Sequence, residues 1–343
     1  LRRGTKKRKW GAILLASAVS IGLLVLLLSD VDPERVLVEA KKVDPRIFVW
    51  VFAVRAVGFF ALTWRTRAIA QPLHTYRWPE AMRAVFAGYF GNAVLPARIG
   101  ELMKVGYLSR IGPPSPSACF AFVAIERVFD LVMLSLVALW VSFIALNEQA
   151  GESIVLLAVV SGTGALILFV LARSPERVAE IARSAVGLLG SRAESLIGPR
   201  IDRFLSGLSS LDTGRQLIAV LLSTLLYWIV NVATIAAWPL AFGFDLVWYT
   251  PLVVLVFLSL GTALPSTAAF VGTYHYAAAA ALHLMGVPRE TSVAMAFFMH
   301  AADFVPWTIV TGLAIMVPLF KGELATRARV NEPSLEVRQT RGA

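Results

Sequence analysis

The sequence predicts an all-α polytopic membrane protein, with about six spanning helices. Two further helical hairpins, each broken at a proline, are expected to be re-entrant, oppositely oriented and related as an inverted repeat. Three observations lead there. The chain is 57% hydrophobic and only 16% charged, whereas a soluble domain carries about 25% charged residues. Six apolar runs, near 10–28, 46–64, 117–146, 153–172, 216–242 and 291–318, approach or exceed the roughly 20 residues needed to cross a bilayer. Between them lie two apolar segments, near 81–111 and 251–285, each interrupted by a Leu-Pro step at Leu95-Pro96 and Leu264-Pro265. A proline break frees backbone N–H and C=O groups that lipid cannot satisfy, so such breaks persist only inside protein or beside a wet cavity.

Taken in order, residues 1–9 form a basic tail, Leu1-Arg2-Arg3-Gly4-Thr5-Lys6-Lys7-Arg8-Lys9. The run behind it ends at Ser29-Asp30 without an A-x-A cleavage site and reads as a retained span. Charge then sets the sidedness. Loop 30–45 carries five acids against three bases and goes outside. Loop 65–83, with Arg65, Arg67, Arg77 and Arg83 against Glu80, goes inside. Loop 147–152, with Glu148 and Glu152, goes outside, and loop 173–215, with seven arginines and five acids, goes inside. Loop 243–250 goes outside, and the polar tail 321–343 goes inside with the N-terminus. Residues 10–320 thus read as one transmembrane domain. Every loop obeys the positive-inside rule if the six runs span and both broken segments return to their own side, the first from the cytoplasm and the second from outside. Two short full crossings per broken segment would keep the same sidedness and raise the span count to about ten. Within loop 173–215, Ile197, Ile201, Phe204, Leu205 and Leu208 recur at helical spacing, which suits a helix on the inner membrane face or a surface helix packed on the bundle.

Polar residues gather at the breaks. Pro96 is suited to start a half-helix running from Ala97 to Tyr107. Its inward N-terminus would attract an anion, and Arg98 would pair with a phosphate bidentately. Glu101 and Lys104 follow at helical spacing on the same face, and Asn92 is a further donor. At the second break Pro265, Ser266 and Thr267 would cap another half-helix, with His275 beyond it as a headgroup ligand, a titrating group or a bonded core histidine.

In the run 117–146, Glu126 lies roughly 13 Å along the helix from Ser117. That depth places Glu126, Arg127 and Asp130 near the centre of the apolar core, where they must face inward and find partners, with Arg98 the expected partner of Glu126 or Asp130. These groups either hold a ligand or form a structural ion-pair network. Arg55, His300, Asp303 and Asn231 are further ionisable or polar groups within apolar runs, the first three with a coupling role open to them. Cys119, the single cysteine, reads as a packing residue. No metal-ligand spacing, Walker motif, G-x-S-x-G or H-E-x-x-H occurs, so neither a cofactor nor a metal is expected. The formal net charge of +10 suits anionic membrane lipids, and no nucleic-acid motif accompanies it.

The strings Asn92-Ala93-Val94-Leu95-Pro96-Ala97-Arg98-Ile99-Gly100-Glu101-Leu102, Glu126-Arg127-Val128-Phe129-Asp130, Ala263-Leu264-Pro265 and Val271-Gly272-Thr273-Tyr274 occur in that order. In this the chain resembles the lysylphosphatidylglycerol synthase transmembrane, or flippase-like, family. The resemblance runs from about residue 10 to 320. It implies a lipid-translocating bundle of the bacterial inner membrane, without the aminoacyl-transferase domain that longer relatives carry. The family's Pro-Gly-Gly-like stretch is Ser266-Thr267-Ala268-Ala269-Phe270 here, and His275 stands where a Glu is expected.

Two other classes remain open. One is an integral-membrane enzyme on a lipid-linked substrate, with Glu126 and Asp130 as acid–base pair. The other is a non-catalytic membrane partner of a glycosyl- or acyltransferase. Either a lipid-modifying enzyme or a second copy of the chain would be its protein partner.

Overall fold

The structure, a computed structural model, describes residues 16–29, 31–96, 98–146, 163, 180, 214–264 and 266–320. The expected span at 153–172 apart from residue 163, the amphipathic stretch in loop 173–215, both termini and Pro265 lie outside the described residues. Among those described, every regular element is helical.

Among the described residues the helices run in the order α1 (Ala16–Leu28), α2 (Pro33–Ala40), α3 (Arg46–Ala70), α4 (Trp78–Val94), α5 (Gly100–Ile111), α6 (Pro116–Leu146), α7 (Gly214–Ala241), α8 (Thr250–Ala263), α9 (Thr273–Leu284) and α10 (Arg289–Phe320). Helices α3, α7 and the stretch Arg289–Met316 of α10 are long and apolar enough to cross a membrane. Helix α1 is the described part of the first apolar run and meets α2 at 87°. The segment 30–45, expected as a loop, is not irregular throughout. It holds α2 because Pro33 pre-sets the first turn and the Asp32 carboxylate accepts from the Glu34 N–H at 2.9 Å.

Both breaks have the same cause. A residue before proline is pushed out of the α region. Leu95 is extended (φ −115°, ψ 143°) and ends α4, and Leu264 is extended (φ −65°, ψ 150°) and ends α8. The flanking helices α5, α8 and α9 have 12, 14 and 12 residues. At about 1.5 Å per residue these are roughly 18–21 Å long, short of an apolar core about 30 Å thick.

Helix α4 packs back on α5, and α8 on α9. Glycine permits both approaches. A Cβ on Gly100 would stand 1.9 Å from the Gly88 carbonyl oxygen, and one on Gly261 would stand 2.6 Å from the Ala277 Cβ. Helix α3 lies along α7, and α10 packs on α4 and α9. The largest apolar cluster surrounds α8, whose residues from Thr250 to Val256 are all buried. On the outer faces of the bundle the side chains stay apolar and exposed, as at Val305, Ile309 and Leu313 of α10 and Leu136, Leu139 and Phe143 of α6, which is the surface a lipid solvent accepts.

Candidate functional site

A cavity of about 300 Å³ lies where the two broken segments meet α3, α6, α7 and α10. Its wall carries four basic side chains, Arg55, Arg65, Lys104 and Arg127, and four acidic ones, Glu101, Glu126, Asp130 and Asp303. Phe59, Leu62, Leu255 and Leu258 supply apolar wall between them.

The deepest pair joins α5 to α6. Lys104 Nζ lies 2.6 and 2.7 Å from the two Glu126 carboxylate oxygens and donates to Thr66 Oγ1 at 2.9 Å. Both side chains are almost fully buried, at 7% and 2% accessible. Beside this pair, Arg65 of α3 donates to both Asp130 oxygens at 2.6 and 3.3 Å. Arg127 reaches the same carboxylate at 3.2 Å and Glu101 at 3.7 Å. Arg127 stays 41% accessible. The Nε atoms of Arg65 and Arg127 are buried and bond nothing among the described residues. A guanidinium is a rigid fork whose Nε and Nη donors suit two oxygens of one phosphate. Both arginines share Asp130, and the Nε donor of each is left without an acceptor among the described residues.

A second cluster lies further along α3. Arg55 grips Asp303 of α10 through two bonds of 2.8 and 2.6 Å and donates to Asn231 Oδ1 of α7 at 2.7 Å. The Tyr274 hydroxyl donates to the same aspartate at 3.1 Å, and the Tyr89 hydroxyl bonds the Asp303 carbonyl.

Several expectations change against this geometry. Pro96 does not start a helix, because α5 begins only at Gly100. The Gly100 N–H is satisfied by Asn92 Oδ1 at 2.9 Å, so Asn92 accepts from the half-helix as well as lining the cavity. Arg98 stands before the helix with φ 54°, off the face that carries Glu101 and Lys104. Its guanidinium does not pair with Glu126 or Asp130, which take Lys104, Arg65 and Arg127. Arg98 Nε and Nη2 donate instead to the Thr262 carbonyl at 3.1 and 2.6 Å. That carbonyl belongs to the last turn of α8, where helical acceptors are left over. One broken segment thus caps the other.

The second break is not a hydroxyl-capped half-helix either. Ser266 is buried, the Thr267 N–H donates to Ser20 Oγ of α1 at 3.1 Å, and a short 3₁₀ turn, Ala268–Phe270, precedes Gly272. Gly272 holds φ 90° with Ser20 pressed against it, so α9 starts only at Thr273. His275 is a core histidine. It accepts from the Gly272 N–H at 3.3 Å and packs on Phe297 and His300. His300 bonds the Ala269 carbonyl at 2.7 Å. Among the described residues no group of three or more His, Cys, Asp or Glu side chains is arranged to hold a metal. Cys119 is buried.

Arg65 is a site residue that the sequence places in a loop, because the second apolar run ends at 64. Helix α3 continues to Ala70 and buries Arg65 completely. The missed signal was helical spacing, since Arg55, Gly58, Phe59, Leu62 and Arg65 all line the cavity from one face of α3. Lys104 was read as a neighbour of Arg98, and Tyr89 and Tyr227 carried no signal of their own.

Comparison with known proteins adds two findings. Residues 13–311 match the family described as the lysylphosphatidylglycerol synthase TM region. The chain is also similar to the glycosyltransferase AglD of Haloferax volcanii, 27% identical over 355 aligned residues. That alignment takes in 89% of this chain and 54% of the relative, so the chain spans about half the length of the curated relative it matches.

Proposed function

The chain belongs to the lysylphosphatidylglycerol synthase TM-region family, and on that premise we propose that it moves the headgroup of a phosphate-bearing lipid across the membrane through the cavity between its two helix breaks. The observation that carries this reading is the pair of Nε donors on Arg65 and Arg127, buried at the cavity and without an acceptor. An arriving phosphate supplies the missing oxygens, and the acyl chains stay in the surrounding lipid. Arg98 contributes by holding the second break closed through Thr262, and it becomes a further phosphate donor when that contact opens.

The same reading covers the topology. Helices α4 with α5, and α8 with α9, are each re-entrant hairpins whose short helices dip into the bilayer from opposite sides. Helices α3, α6, α7 and α10 with the first apolar run and the run 153–172 make six spans beside these two hairpins, with both termini on the cytoplasmic side of a bacterial inner membrane. The shortness of α5, α8 and α9, the matched Leu-Pro breaks and the glycine approach at each tip all support it.

The test is headgroup movement in proteoliposomes. Fluorescent phosphatidylglycerol, aminoacyl-phosphatidylglycerol and polyprenyl-phosphate analogues are offered to wild type and to the Arg127→Gln and Arg98→Ala variants. Wild type is expected to move at least one of them, with Arg127→Gln at least tenfold slower and Arg98→Ala inactive. Folded wild type that moves none of them overturns the proposal.

The glycosyltransferase relative favours a second reading, a membrane module that presents a lipid-linked substrate to a glycosyltransferase. Stoichiometric co-purification of such an enzyme, with no headgroup movement by the chain alone, would replace the first reading with this one.

A further inference from the structure

Arg55 and Arg65 stand ten residues apart on one face of α3, about 15 Å along its axis. Between them that face presents only Gly58, Phe59 and Leu62 to the cavity, with Tyr227 across from it on α7. Each arginine is neutralised by one carboxylate from another helix, Asp130 of α6 for Arg65 and Asp303 of α10 for Arg55. Each pair opens on the same cavity, and Arg55 and Asp303 keep 18% and 10% of their side chains accessible. Neutral donors flank Asp303, with Tyr274 Oη 3.1 Å from its carboxylate.

We propose that Arg55, with Tyr274 beside it, is a second station for the headgroup phosphate, displaced along α3 from the Arg65–Arg127 station. The proposal rests on reading the cavity as the path of a phosphate-bearing headgroup. When a station is empty its carboxylate occupies the guanidinium. When the phosphate arrives it takes the carboxylate's place on the same fork of donors. An anion crossing an apolar core in one step would lose all its hydrogen bonds, at a cost of several kcal/mol or more. Two stations divide that crossing into two exchanges past a short apolar and aromatic wall. At the Arg55 station the Tyr274 hydroxyl, released from Asp303, turns to the phosphate as an extra donor. This assigns Asp303 as the group that holds Arg55 in place between passages.

Photocrosslinking tests the proposal without relying on transport. Purified wild-type protein in nanodiscs is loaded with a phosphatidylglycerol analogue carrying a diazirine on its headgroup, irradiated, and mapped by peptide mass spectrometry. The two stations are read on different helices, α6 around Arg127 and α10 around Asp303. Crosslinks on both are expected. Arg55→Gln alone would leave Asp303 buried and unpaired, so the double variant Arg55→Gln/Asp303→Asn, which leaves no lone charge, is used beside Arg55→Lys. The double variant is expected to lose the α10 crosslinks at least tenfold and keep those on α6. Arg55→Lys, which keeps the charge but not the fork, is expected to weaken them partly. Crosslinks on α6 alone, or α10 crosslinks untouched in the double variant, overturn the station. Wild type that scrambles lipid without α10 crosslinks loses the station and keeps the translocator reading. Crosslinks at both stations with no scrambling keep the station as a binding site and remove that reading.

Discussion

Lys104 and Glu126 meet where neither side chain reaches solvent, at 7% and 2% accessible. Removing one member of such a pair strands the other charge in an apolar interior, which costs about 3–5 kcal/mol, whereas replacing both is far milder. Lys104→Met should therefore destabilise the protein by about 3–5 kcal/mol, and Lys104→Met/Glu126→Gln should recover most of the loss; denaturation in detergent followed by circular dichroism reads both. Arg127 behaves oppositely. It is 41% accessible, its acid contacts are 3.2 and 3.7 Å, and Asp130 retains Arg65 without it. Arg127→Gln should cost less stability than Lys104→Met while headgroup movement falls at least tenfold, a split that a purely structural arginine would not produce. That Glu126 and Asp130 face inward and are paired was legible in the sequence, because charges within an apolar run must find partners. Their partners were not. Lys104 is 22 residues from Glu126 and Arg65 is 65 residues from Asp130, and pairing across helices leaves no trace in local spacing. The expectation that Arg98 would find one of these acids failed because the nearer unsatisfied acceptor was a helix-end carbonyl.

At the scale of elements the breaks were the most legible feature, since the proline rule that extends Leu95 and Leu264 acts on a single neighbour. Where each chain re-enters helix was not legible. Helix α5 waits until Gly100 and α9 until Thr273, because tertiary contact fixes the restart: Gly100 lies against Gly88 and Asn92, and Gly272 lies against Ser20. A methyl group on Gly100 would stand 1.9 Å from the Gly88 carbonyl oxygen and 2.5 Å from Asn92 Oδ1. Gly100→Ala should thus force α4 and α5 apart and cost about 1–3 kcal/mol, as overpacking does. Gly106, on the same helix, has open space around its Cβ position, so Gly106→Ala should be neutral or stabilising by about 0.5–1 kcal/mol. Opposite signs for the two alanines in one thermal-unfolding series would tie the effect to hairpin closure; equal signs would reduce it to helix propensity.

For the whole molecule, composition alone announced a membrane protein, and α3, α7 and α10 carry the length and apolarity that reading required. Charge asymmetry between loops carries the proposed sidedness, but it cannot tell a re-entrant hairpin from two short crossings, because both return the chain to the side it left. The tips distinguish them. A re-entrant first hairpin keeps Ile99 within the bilayer, facing the cytoplasmic route, and a re-entrant second hairpin keeps Leu264 within it, facing the outer one. Both side chains are accessible, at 38% and 48%, so a thiol placed there could react if a reagent reached it. Cys119 is the single cysteine, so Cys119→Ser provides a thiol-free background. In right-side-out vesicles, Asp245→Cys should react with a membrane-impermeant maleimide and Pro113→Cys should not; inverted vesicles should reverse the two. Ile99→Cys should resist the reagent from outside, and Leu264→Cys should resist it from the cytoplasmic side. In the proposed re-entrant arrangement each tip lies about midway through an apolar layer roughly 30 Å thick, which a charged maleimide does not cross. Labelling of Ile99→Cys from outside at the rate seen for Asp245→Cys would mean that the first break emerges on the far face. The first segment would then make two full crossings, and the same labelling of Leu264→Cys from the cytoplasmic side would say so of the second.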